Sequence, residues 1–134
     1  MTEARPKKVV VDSWAWIEYL GGSPKGETVR DIVENKKIAA YTSSVSLAEV
    51  VSKFLRQHRD PEEAVKGIAA LSHILPADAE SAVAAGKIHA DVHARARDFG
   101  LADAFVLAAA RKLGAHVLTG DPHFKQFPET ILIA

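Results

Sequence analysis

The chain of 134 residues carries 17 basic and 17 acidic side chains, which excludes the overall positive field of many nucleic-acid-binding proteins. It contains no cysteine, so disulfides and thiolate metal sites are excluded and any metal ligands must be oxygen or imidazole. No apolar run approaches the roughly 18 residues of a membrane span, and the charged start MTEARPKK lacks the apolar segment of a signal peptide. We therefore expect one cytoplasmic domain over residues 1–134.

Short apolar runs alternate with helical patterns along the whole chain. The run KVVVD is β-branched and typical of a strand buried on both faces, and glycine or proline marks most helix ends. In chain order the sequence predicts a strand at 8–12, helices at 13–20 and 25–36, a strand at 38–41, a helix at 45–58, a helix opened by Asp60-Pro61, a strand at 73–77, helices at 79–97 and 101–113, and strands at 115–121 and 131–133.

This order of elements predicts the fold class. Strands that alternate with helices form parallel sheets, because each crossover helix returns the chain to the same end of the sheet. We therefore expect one three-layer α/β/α domain with a central, mostly parallel sheet of short strands.

Four acids lie at predicted junctions between a strand or loop and the next element, and each has an ordinary structural explanation. Asp12 can cap the first helix, and Glu49 can form a capping box with Ser46. Asp103 suits the dipole in the first turn of its helix, and Asp121 can start a turn. For any one of them alone, the structural role is favoured.

Taken together, the four acids indicate a metal site. The carboxyl ends of parallel strands and the N-termini of the following helices share one edge of the sheet, where ligands bind. Clustered carboxylates repel each other unless a cation is present, and such oxygen ligands suit one or two Mg²⁺ or Mn²⁺ ions. A divalent ion at this position is the usual catalyst of phosphodiester hydrolysis. The hydroxyls of Ser13 and Thr119 can orient these carboxylates.

Four segments, VVVDSWAWIEYL, SSVSLAEVVSKF, GLADAFVLAAARKLG and VLTGDPHF, follow one another between residue 9 and about residue 127. In this order they resemble the motifs of a PIN domain, the ribonuclease fold of many prokaryotic toxins, and the chain length is similar to that of VapC-type toxins. The resemblance implies an endoribonuclease that cuts single-stranded or loop RNA, is silenced by a cognate antitoxin and forms a homodimer.

The same resemblance implies roles for individual residues. The catalytic, metal-binding acids are Asp12, Glu49, Asp103 and Asp121. His123 is a departure, because some members of the family carry another acid at this place. Ser13 and Thr119 are the hydroxyl neighbours of the motif acids.

Basic and aromatic residues give weaker indications. Lys53 and Arg56 follow Glu49 on the same predicted helix, where they can contact RNA phosphates or simply face solvent. The aromatic residues of the first helix can stack on bases, but they more often belong to a core or subunit interface, so we place them outside the site; they are Trp14, Trp16 and Tyr19.

Two other functions remain open from the sequence. A receiver-type phospho-acceptor domain also places acids at strand ends, but the chain has Asp121 where a receiver normally has a lysine. A PIN-like module that binds RNA or an antitoxin without cutting is the stronger alternative. The presence of all four acids favours the enzyme.

Overall fold

The computed structural model describes residues 6–134, and the first five residues of the charged start, where we expected no signal peptide, lie outside the described part. Within 6–134 the chain forms five strands, six α-helices and one 3₁₀ turn. In chain order they are β1 (Lys8–Val11), α1 (Ser13–Gly21), α2 (Pro24–Val33), β2 (Ala39–Ser43), α3 (Ser44–Arg56), α4 (Glu62–Leu71), β3 (His73–Leu75), α5 (Ala79–His93), α6 (Leu101–Leu113), β4 (His116–Thr119), the 3₁₀ turn (Pro122–Phe124) and β5 (Thr130–Leu132).

The strands form one sheet in the order β3-β2-β1-β4-β5, and every neighbouring pair is parallel. Strand β1 is central, and its Val10 lies opposite Tyr41 of β2 and Val117 of β4. The predicted fold class is confirmed, with all rather than most of the strand pairs parallel. The strand order also differs from the 2-1-3-4-5 order of receiver-type domains, and this difference argues against a phospho-acceptor function.

Helices cover both faces of the sheet. Val9 and Val11 of β1 pack with the helices of the first half of the chain, where Trp16 is fully buried. Val10 points to the other face and packs with α5, α6 and the aromatic residue Phe124. The alternation of side chains along β1 therefore explains why all three valines are apolar, since a strand between two helical layers has no solvent-facing side.

One local prediction at the start of α3 is wrong. The helix begins at Ser44, and its N-cap is Ser43, whose hydroxyl accepts a hydrogen bond from the amide of Val45. Ser46 is therefore inside the first turn and fully buried, and the capping box between Ser46 and Glu49 does not form among the described residues. Because Glu49 is not needed at the helix end, its carboxylate is available for another role.

Other differences concern the ends of elements. Strand β2 extends to Ser43, two residues past its predicted end, while α5 ends at His93 rather than at 97. No helix within 6–134 is both long and apolar enough to cross a membrane. The carboxyl ends of β1, β2 and β4 and the N-termini of α1 and α3 meet at one edge of the sheet, because all the strands are parallel.

Candidate active site

A cleft of about 390 Å³ lies at this carboxyl edge. All four of the predicted acids line it. The complete lining is Asp12, Ser13, Trp14, Ile17, Glu18, Glu49, Lys53, Arg56, Asp103 and Asp121. The residues come from the junction of β1 and α1, from α1, α3 and α6, and from the segment after β4, so the cleft exists only in the folded chain.

Asp12 is the most buried of the four acids, with 3% of its surface exposed. Its Oδ2 accepts a hydrogen bond of 2.8 Å from the hydroxyl of Thr119, at the end of the neighbouring strand β4. Burial raises the pKa of Asp12 to about 7, and the negative charges of Asp103 and Glu49 add to this effect, whereas the hydrogen bond from Thr119 opposes it. The carboxylate is thus a costly buried charge that is kept in one orientation.

Thr119 also connects Asp12 to the next acid. Its side-chain oxygen accepts a hydrogen bond of 3.0 Å from the backbone amide of Asp121. Thr119 is fully buried, so its hydroxyl ties the ends of two adjacent strands together beneath the cleft. Its predicted position beside the acids agrees with this geometry, although Thr119 itself does not line the cleft.

Asp103 accepts a hydrogen bond at the start of α6 and also lines the cleft. It lies in the first turn of α6, as expected from the sequence, and its Oδ2 also accepts a hydrogen bond of 2.9 Å from the backbone amide of Gly100, the N-cap of the helix, which was not expected. Partial burial nevertheless raises the pKa of Asp103, and the negative charge of Asp121 raises it further. Capping of the helix therefore does not remove the carboxylate from the electrostatics of the cleft.

Asp121 is held by the turn that follows it. Its Oδ1 accepts a hydrogen bond of 2.9 Å from the backbone amide of His123, and Nδ1 of the His123 ring lies 3.1 Å from the same oxygen. The other ring nitrogen of His123 lies 3.9 Å from Oδ2 of the exposed Asp98. The imidazole that departs from the family pattern is thus adjacent to the cleft and contacts one of its acids.

Glu49 lies on α3 and lines the cleft, and its side chain is largely exposed. Partial loss of water around its carboxylate still raises the pKa of Glu49, the nearby Ser13 hydroxyl offsets part of this rise, and the charges of Asp103 and Asp121 add to it. For each acid with a raised pKa, the negative charge of at least one other acid of the cleft contributes to the rise. This mutual effect is the electrostatic sign that the carboxylates are close.

No lysine or arginine pairs with the four acids within residues 6–134. In the described part of the chain, no lysine or arginine nitrogen lies within 4.0 Å of a carboxylate of Asp12, Glu49, Asp103 or Asp121. Within residues 6–134, no three acidic or histidine side chains form a ready-made metal cage. The donor set still fits Mg²⁺ or Mn²⁺, which prefer carboxylates and retain several water ligands that can bridge to them.

The basic residues Lys53 and Arg56, which follow Glu49 on α3, line the same cleft. Trp14, Ile17 and Glu18 line it too, and we did not expect them there. The sequence held a signal, because positions 14, 17 and 18 share one face of α1 with Ser13, next to Asp12.

The three aromatic residues of α1 have different surroundings. Trp16 is fully buried and its ring nitrogen donates a hydrogen bond of 3.0 Å to Thr42, so it belongs to the core as expected. Tyr19 donates a hydrogen bond of 2.8 Å to Glu34, outside the cleft. Trp14 differs from the expectation, because its ring is only partly buried and borders the cleft.

Comparisons with known proteins agree with this architecture. The PIN domain family matches residues 9–129. No protein of curated function matches the sequence significantly. Among solved structures, the chain is similar to a toxin–antitoxin complex from Klebsiella pneumoniae, with a TM-score of 0.74, 14% identity, and coverage of 94% of this chain and 98% of that one.

Two further structures are similar over most of their length. One is VapBC2 from Rickettsia felis bound to a promoter DNA fragment, with a TM-score of 0.72, 16% identity, and coverage of 93% of this chain and 96% of that one. The other is the VapC20 toxin of Mycobacterium tuberculosis, which cleaves the sarcin-ricin loop, with a TM-score of 0.68, 22% identity, and coverage of 87% and 92%. At these identities the similarity shows a common fold.

Proposed function

This chain belongs to the PIN-domain family, and on that basis we propose that it is a metal-dependent endoribonuclease that hydrolyses RNA phosphodiester bonds. One observation carries the proposal. Four acids from four separate segments line one cleft without a lysine or arginine partner among the described residues, and burial and mutual repulsion raise the pKa of three of them. A structural role in capping or turns does not require that convergence.

We assign the metal-binding and catalytic role to Asp12, Glu49, Asp103 and Asp121, which would hold one or two Mg²⁺ or Mn²⁺ ions. When bound, the ion supplies Lewis-acid polarisation of the phosphate and positive charge where negative charge develops. Thr119 supports this role by fixing the Asp12 carboxylate through the 2.8 Å hydrogen bond.

Two further groups favour RNA as the substrate. Lys53 and Arg56 place positive charge on the α3 wall of the cleft, where they can bind the phosphates that flank the cleaved bond. Ser13 directly follows Asp12 in the chain, and its hydroxyl interacts with the carboxylate of Glu49, so it can help to orient that acid. These residues bind and orient; they do not read base sequence.

We also propose that the protein is the toxin of a toxin–antitoxin pair. Its structural relatives include toxin–antitoxin complexes, and the chain covers at least 92% of the three relatives described above. A cognate antitoxin is therefore the expected protein partner. RNA and a co-produced antitoxin are both cytoplasmic, so this is where the proposed reaction takes place.

A homodimer is the remaining part of the proposal, and α3 offers a face for it. The core side of α3 is formed by Ser46, Val50 and Phe54, but a second, partly exposed apolar stripe lies beside it, and Leu55 in it is 57% exposed. The stripe is formed by Leu47, Ala48, Val51 and Leu55. Two copies of one helix can bury such a stripe in a symmetric pair.

Light scattering tests the dimer directly. We expect a mass of twice 14.4 kDa for the wild-type protein and a monomer for Leu55→Glu, because the substitution places a charge in the apolar stripe. A monomeric wild-type protein at all concentrations would refute the dimer and leave the nuclease proposal untouched.

The nuclease proposal is tested with purified protein and end-labelled RNA, single-stranded and hairpin, in EDTA, Mg²⁺ or Mn²⁺. We expect internal cleavage that requires a divalent ion and is absent in EDTA. Binding of RNA without cleavage under any of these conditions would refute the enzyme and favour a non-catalytic binding module.

A further inference from the structure

The wall of the cleft contains one large aromatic surface, the indole of Trp14. Trp14 follows Asp12 by two residues and lines the cleft together with the four acids. The other tryptophan, Trp16, two residues later on α1, is fully buried, whereas Trp14 retains exposed surface. An aromatic ring that is left partly exposed beside a catalytic cleft is available for a ligand.

The position of the Trp14 ring depends on the absence of a side chain at Gly120. The benzene half of the Trp14 indole lies against the backbone of Gly120, so closely that a Cβ atom at this position would overlap the ring. Gly120 directly precedes Asp121. The indole is therefore held against the segment that leads into Asp121, and not merely on the outside of the first helix.

One cation lies near the ring, and two others line the same cleft. The ammonium group of Lys25 on α2 lies 5.8 Å from the centre of the Trp14 ring, within the range of a cation–π contact. Lys53 and Arg56 line the same cleft from α3. An aromatic platform flanked by cations is the arrangement that binds a single nucleic-acid strand, because the ring stacks on a base while the cations contact phosphates.

We propose that Trp14 is a substrate-binding residue that stacks on one unpaired base of the RNA, adjacent to the phosphate that is cleaved. This inference rests on the proposed nuclease function. A base inside a duplex is already stacked on its neighbours and cannot reach the ring without leaving the helix. At about 390 Å³ the cleft lies near the lower end of small-ligand pockets, roughly 300–1,000 Å³, so it holds about one nucleotide at a time.

RNA is the occupant inferred for this wall, because the proposed reaction places RNA in the cleft. Lys25 lies near the Trp14 ring, and Lys53 and Arg56 line the same cleft, where they can contact phosphates, while the acids of the lining need the divalent ion of the proposed function to offset their charge. A protein segment that used the ring instead would leave RNA binding independent of Trp14. The experiment below distinguishes the two.

The test measures binding of a fluorescein-labelled 12-nucleotide single-stranded RNA in the Asp103→Asn background, so that the RNA stays intact. Trp14→Leu removes the aromatic face, while Trp14→Phe retains a smaller one. Tyr19→Leu, on the same helix but outside the cleft, is the matched control. We expect Trp14→Leu to weaken binding by about 5-fold to 150-fold, as the loss of stacking on one base does, and Trp14→Phe to weaken it less.

A set of RNAs, each with one abasic position, identifies the stacked base. One abasic position should weaken binding to the protein with Trp14 as much as Trp14→Leu does, and it should have no further effect on the Leu variant. Bound RNA should also quench tryptophan fluorescence, and the quenching should vanish in Trp14→Phe, where only the buried Trp16 emits.

Several results would overturn the stacking role. One is unchanged affinity of Trp14→Leu, which would leave the ring as a contact for a protein segment. Another is an equal loss in the Leu and Phe variants that persists with every abasic RNA, because this would show a packing effect against Gly120. Absence of RNA binding by every variant, together with no cleavage by the wild-type protein, would refute the nuclease proposal as well, so the two failures are distinguishable.

Discussion

Replacing Asp12 by asparagine removes a buried charge while keeping almost the same shape and the ability to accept the hydrogen bond from Thr119. Because burial and nearby carboxylates raise the pKa of Asp12 from 3.8 to about 7, the folded protein binds this proton more tightly than the unfolded chain does. The folded state therefore loses stability as pH rises from about 4 to about 7, and the full loss is present above pH 7.

The size of the effect follows from the pKa difference. A shift of about three units corresponds to about 4 kcal/mol, of which about 2.5 kcal/mol develops between pH 5 and pH 8. The asparagine variant cannot titrate, so its stability relative to the wild-type protein should increase by this amount over the same pH interval. For a chain of this length, that corresponds to roughly 7–10 °C in Tm.

Thermal unfolding in EDTA at a series of pH values measures this difference. Asp31→Asn is the matched control, since Asp31 is an exposed acid on α2 away from the cleft. We expect the Tm advantage of Asp12→Asn to grow with pH, and Mn²⁺ to stabilise the wild-type protein more than the variant. If the curves of wild-type protein and Asp12→Asn stay parallel from pH 5 to pH 8, the buried-charge explanation is wrong.

Three further changes should have measurable effects. Thr119→Val removes the hydroxyl that holds the buried carboxylate, so we expect a loss of about 2–3 kcal/mol by urea denaturation at pH 8, and an unchanged midpoint would contradict this role. Gly120→Ala should destabilise by about 1–3 kcal/mol, because its methyl group overlaps the Trp14 ring, and full stability would mean that the ring moves freely. Replacing Lys53 and Arg56 together by glutamine should reduce the slope of log affinity for single-stranded RNA against log salt by about 1.4, whereas an equal slope would exclude them as phosphate contacts.

The fold could be predicted from local pattern because the central strand has no solvent-facing side. Only a strand covered on both faces is apolar at every position, and the three consecutive valines of β1 show this in the sequence. Strand order was not accessible in the same way. It depends on which strands pair, and the pairing of β1 with β4 brings Asp12 to Thr119 across 107 positions of the chain.

Part of the site could not be predicted from patterns of neighbouring residues in the sequence. The Ser46–Glu49 spacing matches a capping box, but Ser43 caps the helix one turn earlier, so the match was misleading. Trp14 looked like a core residue because aromatic residues on a helix against a sheet usually are. Its place in the cleft depends on Gly120, a residue in another part of the chain whose missing side chain leaves room for the ring.

The measurement that tests the catalytic centre most directly is the rate of RNA cleavage in Mn²⁺ by the wild-type protein, Asp103→Asn and the control Asp31→Asn, each shown to be folded by its thermal transition. We expect cleavage by the wild-type protein and by Asp31→Asn at equal rates, and a loss of at least about 100-fold in Asp103→Asn, because one carboxylate of the cleft becomes neutral. Equal cleavage by all three proteins would show that the acids of the cleft are not the catalytic centre.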